Sequence, residues 1–297
     1  RIGEYLKQVY KGRLSAYYPA FPEGNMARVH FIIGRSEGET PKPAQSELEA
    51  EVGKITRTWD DDLRAALGSA TARLDAMGEA ENISISFSRD AGMAEDRVSL
   101  KVYSAGQALP LSNRVPLLEN MGFAALNERT YQITPAERPI IYLYDMTLQA
   151  NSGAFSLEAL GDKLTECFLA IWQNRAENDG YNALILNGGI AWRDIALLRT
   201  ISRYLRQTRI PFSQDYMWST LNRYSAIAAE LVALFHARFD PEKADPAVED
   251  TLFERFLTAL DDVVSLDDDR ILRRFANVIK SSVRTNFYQQ NDDGSPE

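Results

Sequence analysis

YNALILNGGIAWRD, Tyr181 to Asp194, is the stretch on which the fold turns. A short apolar run, two glycines and an amphipathic segment spell one of two things: a nucleotide-binding strand, turn and helix, or two helices joined by a turn. A phosphate cradle needs backbone N–H groups freed by glycine at a helix start, in the pattern G-x-G-x-x-G or G-x-x-x-x-G-K-[ST]. Neither pattern is present. A dinucleotide crevice also needs neighbouring parallel strands, whereas the segments on both sides of this stretch are helical in period. Asn187-Gly188-Gly189 therefore ends a short helix, and Asp194 lies early in the next.

Working outward, the helical period holds from about Asn151 onward. Leu164, Cys167, Phe168, Ile171 and Trp172 recur at intervals of three and four, so Cys167 belongs to an apolar stripe. Asp245 followed by Pro246 makes a cap and first-turn pair for a helix bearing Val248, Leu252, Phe256 and Leu260. Ser265 with Asp267 to Asp269 opens another, with Ile271, Leu272, Phe275 and Ile279 inside. The tail QQNDDGSPE is polar.

The other direction reads differently. RLSAYYPAF and ARVHFIIGR are rich in aromatic and β-branched residues and flank the turn-forming PEGN, which predicts a hairpin. A helix follows, with Ser46 capping and Glu49 reaching back, and with a stripe from Leu48 and Val52 through Trp59 and Leu67 to Met77, ending at Gly78. RVSLKVYS is a strand, LSNRVPLLENMG a helix stopped by Gly122, and FAALNERTYQI and RPIIYLYDMTL two further strands. Two helices interleaved among strands predict one sheet with both helices on one face, an ACT-like or ferredoxin-like α/β sandwich over residues 1–150. An all-helical domain follows over 151–297, so the fold class is α+β.

Composition narrows the function classes. A chain of 297 residues with a net charge of −9 lacks the positive field a nucleic-acid partner demands. No apolar run is long enough to span a bilayer. One cysteine and no secretory signal favour a reducing, cytoplasmic setting. The chain opens at Arg1 on RIGEYLKQVY, already apolar at helical spacing and without an initiator methionine, and reads as a piece of a longer protein.

Candidate chemistry is sparse. Arg199, Arg203 and Arg206 share a helix face and could grip a phosphate or carboxylate, although ion pairs or docking explain them in an acidic chain. Asp267 to Asp269 lack the alternate spacing, the glycine and the closing glutamate of a calcium loop, and suit a helix start instead. His30 sits in a strand and His236 on a helix, with neither a nucleophile signature nor a cysteine cluster for zinc. Asp60 to Asp62 fall on the solvent side of a long helix. No constellation supports catalysis, cofactor binding or a metal.

Four blocks carry a resemblance: GRLSAYYPAFPEGNMARVHFIIGR, VPLLENMGFAALNERTYQI, FLAIWQNRAENDGYNALILNGGIAWRDIALLRTISRYLRQTRIPFSQDY and DDDRILRRFANVIKSSVRTNFYQ. In this order they resemble the large bacterial NAD-dependent glutamate dehydrogenases, and they cover most of the chain. ENISISFSRDAGMAED departs from the family pattern, and the chain is shorter than the family between Gly78 and Arg97.

The resemblance implies an ACT-like domain followed by a helical segment that leads into a catalytic domain absent from this chain. The parent would oxidatively deaminate L-glutamate with NAD, while this segment alone would be inactive and would bind no NAD. It implies contacts with its own catalytic domain and with other subunits of a homo-oligomer, and a role in allosteric regulation. ACT-like domains often hold an amino-acid effector near a turn after a core strand, which matches Gly34, Arg35 and Ser36. There glycine admits a ligand to the backbone and arginine meets a carboxylate. A self-standing amino-acid sensor is the alternative.

Overall fold

The structure is a computed structural model that describes residues 2–20, 28–35, 38, 40–56, 82–134 and 139–291. The chain divides into two compact units, Arg1–Asp75 and Ala76–Glu297. The PEGN turn, the stripe from Trp59 to Met77, Asp60 to Asp62 and Ser36 lie outside the described residues. Among the described residues, no helix is long and apolar enough to cross a membrane.

In the first unit, helix α1 (Ile2–Val9) precedes strands β1 (Arg13–Ala20) and β2 (Arg28–Gly34), which pair antiparallel with Tyr17 opposite Phe31 and Arg13 opposite Gly34. The Tyr17 and Phe31 rings stack with centroids 6.3 Å apart. Gly3 lets α1 sit close on the hairpin, because a Cβ there would lie 2.9 Å from the Leu14 side chain. Helix α2 (Gln45–Thr56) starts one residue before the expected cap. The Ala44 carbonyl accepts from the Glu47 and Leu48 N–H groups at 3.1 and 3.2 Å, so Ser46 lies inside the first turn.

The single sheet expected from the element order is in fact two. The hairpin forms a sheet of its own, and the second unit holds a four-stranded antiparallel sheet ordered β3-β4-β6-β5. These strands are β3 (Ile83–Ser88), β4 (Arg97–Ala105), β5 (Phe123–Ile133) and β6 (Ile141–Ala150), with α3 (Leu111–Asn120) between β4 and β5. Strand β3 lies in the divergent ENISISFSRDAGMAED stretch, and its Ile83 and Ile85 are buried while the serines between and after them are half-buried. That alternation is a strand signature, written here in Ile83, Ile85 and the half-buried Phe87. Opposed pairs Val98–Leu148, Leu100–Met146 and Val102–Tyr144 build the inner face.

Gly122 stops α3 with φ +91°, donating its N–H to the Glu119 carbonyl at 2.9 Å. Arg114 on α3 is buried and forks onto Glu128 of β5 at 2.8 and 3.2 Å, with its guanidinium 3.7 Å above the Tyr144 ring. This charge pair fixes the helix across the sheet.

The helices that follow are α4 (Leu157–Trp172), α5 (Leu184–Gly188), α6 (Trp192–Gln207), α7 (Gln214–Arg223), α8 (Ser225–Phe239), α9 (Pro246–Ala259) and α10 (Leu266–Ser281). Their caps are those the sequence names: Asp245 accepts from Ala247 N–H at 2.8 Å with Pro246 in the first turn, and Ser265 accepts from Asp268 N–H at 3.3 Å. Leu164, Cys167, Phe168 and Ile171 of α4 are buried. One contiguous core runs from the inner sheet face through Leu117 and Leu118 into α4, α5, α6, α7, α8 and α10.

Candidate functional site

Gly34 and Arg35 stand at the end of β2, beside the turn that links α1 to β1. With Lys11, Gly12 and Arg13 they line a crevice of about 420 Å³. Its shape follows from the two glycines. A Cβ on Gly12 would lie 2.7 Å from the Gly34 carbonyl oxygen, and one on Gly34 would lie 2.5 Å from Ser15 Oγ. Neither position has room for a side chain. The turn is closed by Gly12 N–H donating to Lys7 O at 3.0 Å, and it holds Lys11 at φ +49°.

The basic side chains cross over the glycines. Arg35 Cγ packs 3.0 Å from the Cβ position of Gly12, and Arg13 Nε 3.5 Å from that of Gly34. Three cationic residues thus line the crevice in a chain of net charge −9. Such a cluster favours a carboxylate or phosphate. Lys11, Gly12 and Arg13 are absent from the sequence-based set, although the tripeptide KGR, a glycine between two cations at a strand start, carried the signal.

At Asn187-Gly188-Gly189 a helix, not a strand, leads into the turn. Gly189 caps α5 in the left-handed region at φ +62° and its carbonyl accepts from Lys163 Nζ at 2.5 Å. A Cβ on Gly188 would stand 3.2 Å from Ile190 and from the Ser225 carbonyl, so the turn is packed against protein. It has the helix-turn-helix form expected from the sequence.

The three arginines of α6 part company. Arg199 is buried and forks onto Asp179 at 2.7 and 2.8 Å while donating to Asn182 Oδ1 at 2.8 Å. Arg203 pairs with Glu177, and Arg206 donates to the Phe212 carbonyl at 3.0 Å. Each acid of the triplet is also engaged: Asp267 with Arg270, Asp269 with Arg273, and Asp268 with Arg223 at 2.6 Å and Thr220 at 3.0 Å. Among the described residues no group of three or more His, Cys, Asp or Glu side chains could hold a metal ion.

His30 is exposed on β2. His236 of α8 bridges Asp194 Oδ1 at 2.8 Å and the Tyr288 hydroxyl at 2.6 Å, while Arg193 donates to the Phe287 carbonyl at 2.6 Å. These contacts tie the segment after α10 onto α6 and α8. Sequence reading missed the grouping because its members lie 42 and 52 positions from His236.

Known proteins match this chain along most of its length. Family models match for the glutamate dehydrogenase ACT2 domain at residues 1–60, the ACT3 domain at 82–160, helical motif 3 at 176–241, and the bacterial NAD-glutamate dehydrogenase catalytic domain at 255–297. Two ACT regions thus stand where one was expected, in keeping with the two sheets. The catalytic-domain match also reaches back to residue 255, inside the chain.

The NAD-specific glutamate dehydrogenase of Halomonas elongata is 31% identical over 99% of this chain and 20% of its own length. That of Pseudomonas aeruginosa is 32% identical over 97% and 20%, and that of Mycobacterium tuberculosis 30% identical over 89% and 16%. The chain spans about a fifth of the relatives it matches. By these matches, the chain belongs to the large bacterial NAD-dependent glutamate dehydrogenase family, as a segment carrying the ACT2, ACT3 and helical-motif-3 regions and the first part of the catalytic-domain match.

Proposed function

We propose that this chain is the non-catalytic regulatory and assembly segment of an NAD-dependent glutamate dehydrogenase. The parent reaction converts L-glutamate, NAD and water to 2-oxoglutarate, ammonia and NADH, and NAD is held elsewhere in the parent. The strand-bearing residues 1–150 make contacts within or between subunits of a cytoplasmic homo-oligomer. The helical residues 151–297, which run into the region matching the catalytic domain from residue 255, set their orientation against the rest of that domain.

The observation that carries this reading is the engagement of the charged clusters in structure. The buried forks of Arg114 and Arg199 and the Asp268–Arg223 pair hold elements together, while Asp267 and Asp269 pair within their own helix. An amino-acid effector sits by its carboxylate at Gly34, Arg35 and Ser36, helped by Lys11 and Arg13. The test is to delete residues 1–75, the first compact unit, from the parent and measure assembly by sedimentation and effector response by kinetics. If both are unchanged, the proposal fails.

A self-standing amino-acid sensor is the second reading, favoured by a crevice built wholly within the first unit. Calorimetry of amino acids against the 297-residue chain separates the two. Tight binding that leaves the parent's kinetics untouched supports the sensor.

A further inference from the structure

A cleft of about 640 Å³ opens between α6 and α10. Leu197, Ile201, Tyr204 and Thr208 line it from α6 at intervals of four, three and four, so its wall runs for three helical turns, about 16 Å. The opposite wall is Arg274, Val278 and Ser281 of α10, again at helical spacing, and Arg284 lies beyond. Tyr204 at the rim is 53% exposed and Val283, beside Arg284, is 92% exposed. A strip this long and apolar matches the face an amphipathic helix lays into a groove.

The charges select the kind of helix. Among the described residues, no aspartate or glutamate lines the cleft. Nearby Arg223, Arg238, Arg255, Arg270 and Arg273 each have a carboxylate partner. Arg274 and Arg284 have no hydrogen-bond or ion-pair partner among the described residues. They stand ten positions apart, with two turns of α10, about 10 Å, and the chain after Ser281 between them. Acids at the two ends of a three-turn helix match cations spaced in this way along the cleft.

We propose that the α6–α10 cleft is a docking groove for an acidic amphipathic helix, with its apolar stripe on Ile201, Tyr204 and Val278 and its acids on Arg274 and Arg284. The groove shares no lining residue with the effector crevice and stands whether or not that crevice binds anything.

The test uses the 297-residue chain and two stapled 15-residue model helices. Both carry leucine at a three-four spacing, one with flanking glutamates and one with flanking lysines. The acidic helix should bind, and the charge-reversed R274E/R284E variant should weaken it on the order of tenfold while gaining the basic helix. Both positions are exposed, so the variant keeps its fold, which circular dichroism checks. Equal affinity for the two helices, or no swap of preference in the variant, overturns the proposal. Self-association of the chain that R274E/R284E abolishes would give the groove to a second copy and overturn it as well.

Discussion

At the scale of single residues, Arg199 is a side chain whose loss should be costly. It is buried, it forks onto Asp179 through Nε and Nη2, and Nη2 also donates to Asn182 Oδ1 and the Glu177 carbonyl. Arg199→Ala leaves Asp179 without its cation and Asn182 Oδ1 without its donor beside the core, and the expected loss is about 3–5 kcal/mol in urea unfolding. Arg199→Lys keeps the charge without the fork, so it should recover only part of that loss.

Burial pushes the Cys167 thiol up to about 12 against the opposing pull of Arg199. The folded chain should therefore be inert to a thiol reagent at neutral pH and react on unfolding. Fast labelling of the native chain would contradict the buried stripe.

Tyr288 is likewise pushed up to about 12, first by burial and then by the negative charges of Asp240 and Asp194, with Arg193 opposing. A raised tyrosine binds its proton more tightly when folded. Its contribution to stability is thus whole below about pH 10 and fades as pH climbs through about 12. The stability of the segment joined to His236 should fall over that window. Tyr288→Phe, which removes the ionising hydroxyl, should flatten that part of the pH dependence.

At the scale of elements, Gly122 shows how one residue sets a boundary. Its backbone is left-handed at φ +91°, and a Cβ would press to 3.3 Å on Leu186 and 3.5 Å on Ala183. Gly122→Ala combines strain with crowding and should destabilise by about 1–2 kcal/mol, read as a lowered thermal midpoint. Caps, stripes and stop signals of this kind were legible in the sequence because they are local: Gly122 after LLENM, Asp245 before Pro246, Ser265 before three acids.

What was illegible depends on pairing across distance. The division into two sheets rests on β1 and β2 pairing only with each other, and no periodicity states which strands are neighbours. Strand β3 was missed because four of its six residues, ISISFS, have side chains other than large aliphatics. The burial of Arg199 was missed because its partner Asp179 lies twenty positions away in a loop. In the candidate site, Gly34 and Arg35 were readable as a glycine and a cation after a strand. Their cationic neighbours Lys11 and Arg13 were brought to them by the antiparallel register.

At the scale of the whole molecule, the two units differ in how they are held. Every buried hydrophobic side chain among the described residues belongs to the second unit, beginning at Ile83. The first unit has a two-stranded sheet whose Tyr17, Tyr18, Val29 and Ile32 are exposed. A lone hairpin of that kind is marginal in water, whereas β4 lies between two partners over a continuous core. Hydrogen exchange on the 297-residue chain should therefore show the amides of β1 and β2 opening at far lower free energy than those of β4, β6 and α4. Equal protection in the two units would mean that the first has a core these contacts do not contain. The assembly reading adds a second expectation: if the hairpin makes contacts in the parent oligomer, its amides should gain protection there while those of β4 and β6 stay as they were. Unchanged exchange at residues 13–20 and 28–34 in the assembled parent would remove the hairpin from any interface and take the assembly proposal's simplest surface with it.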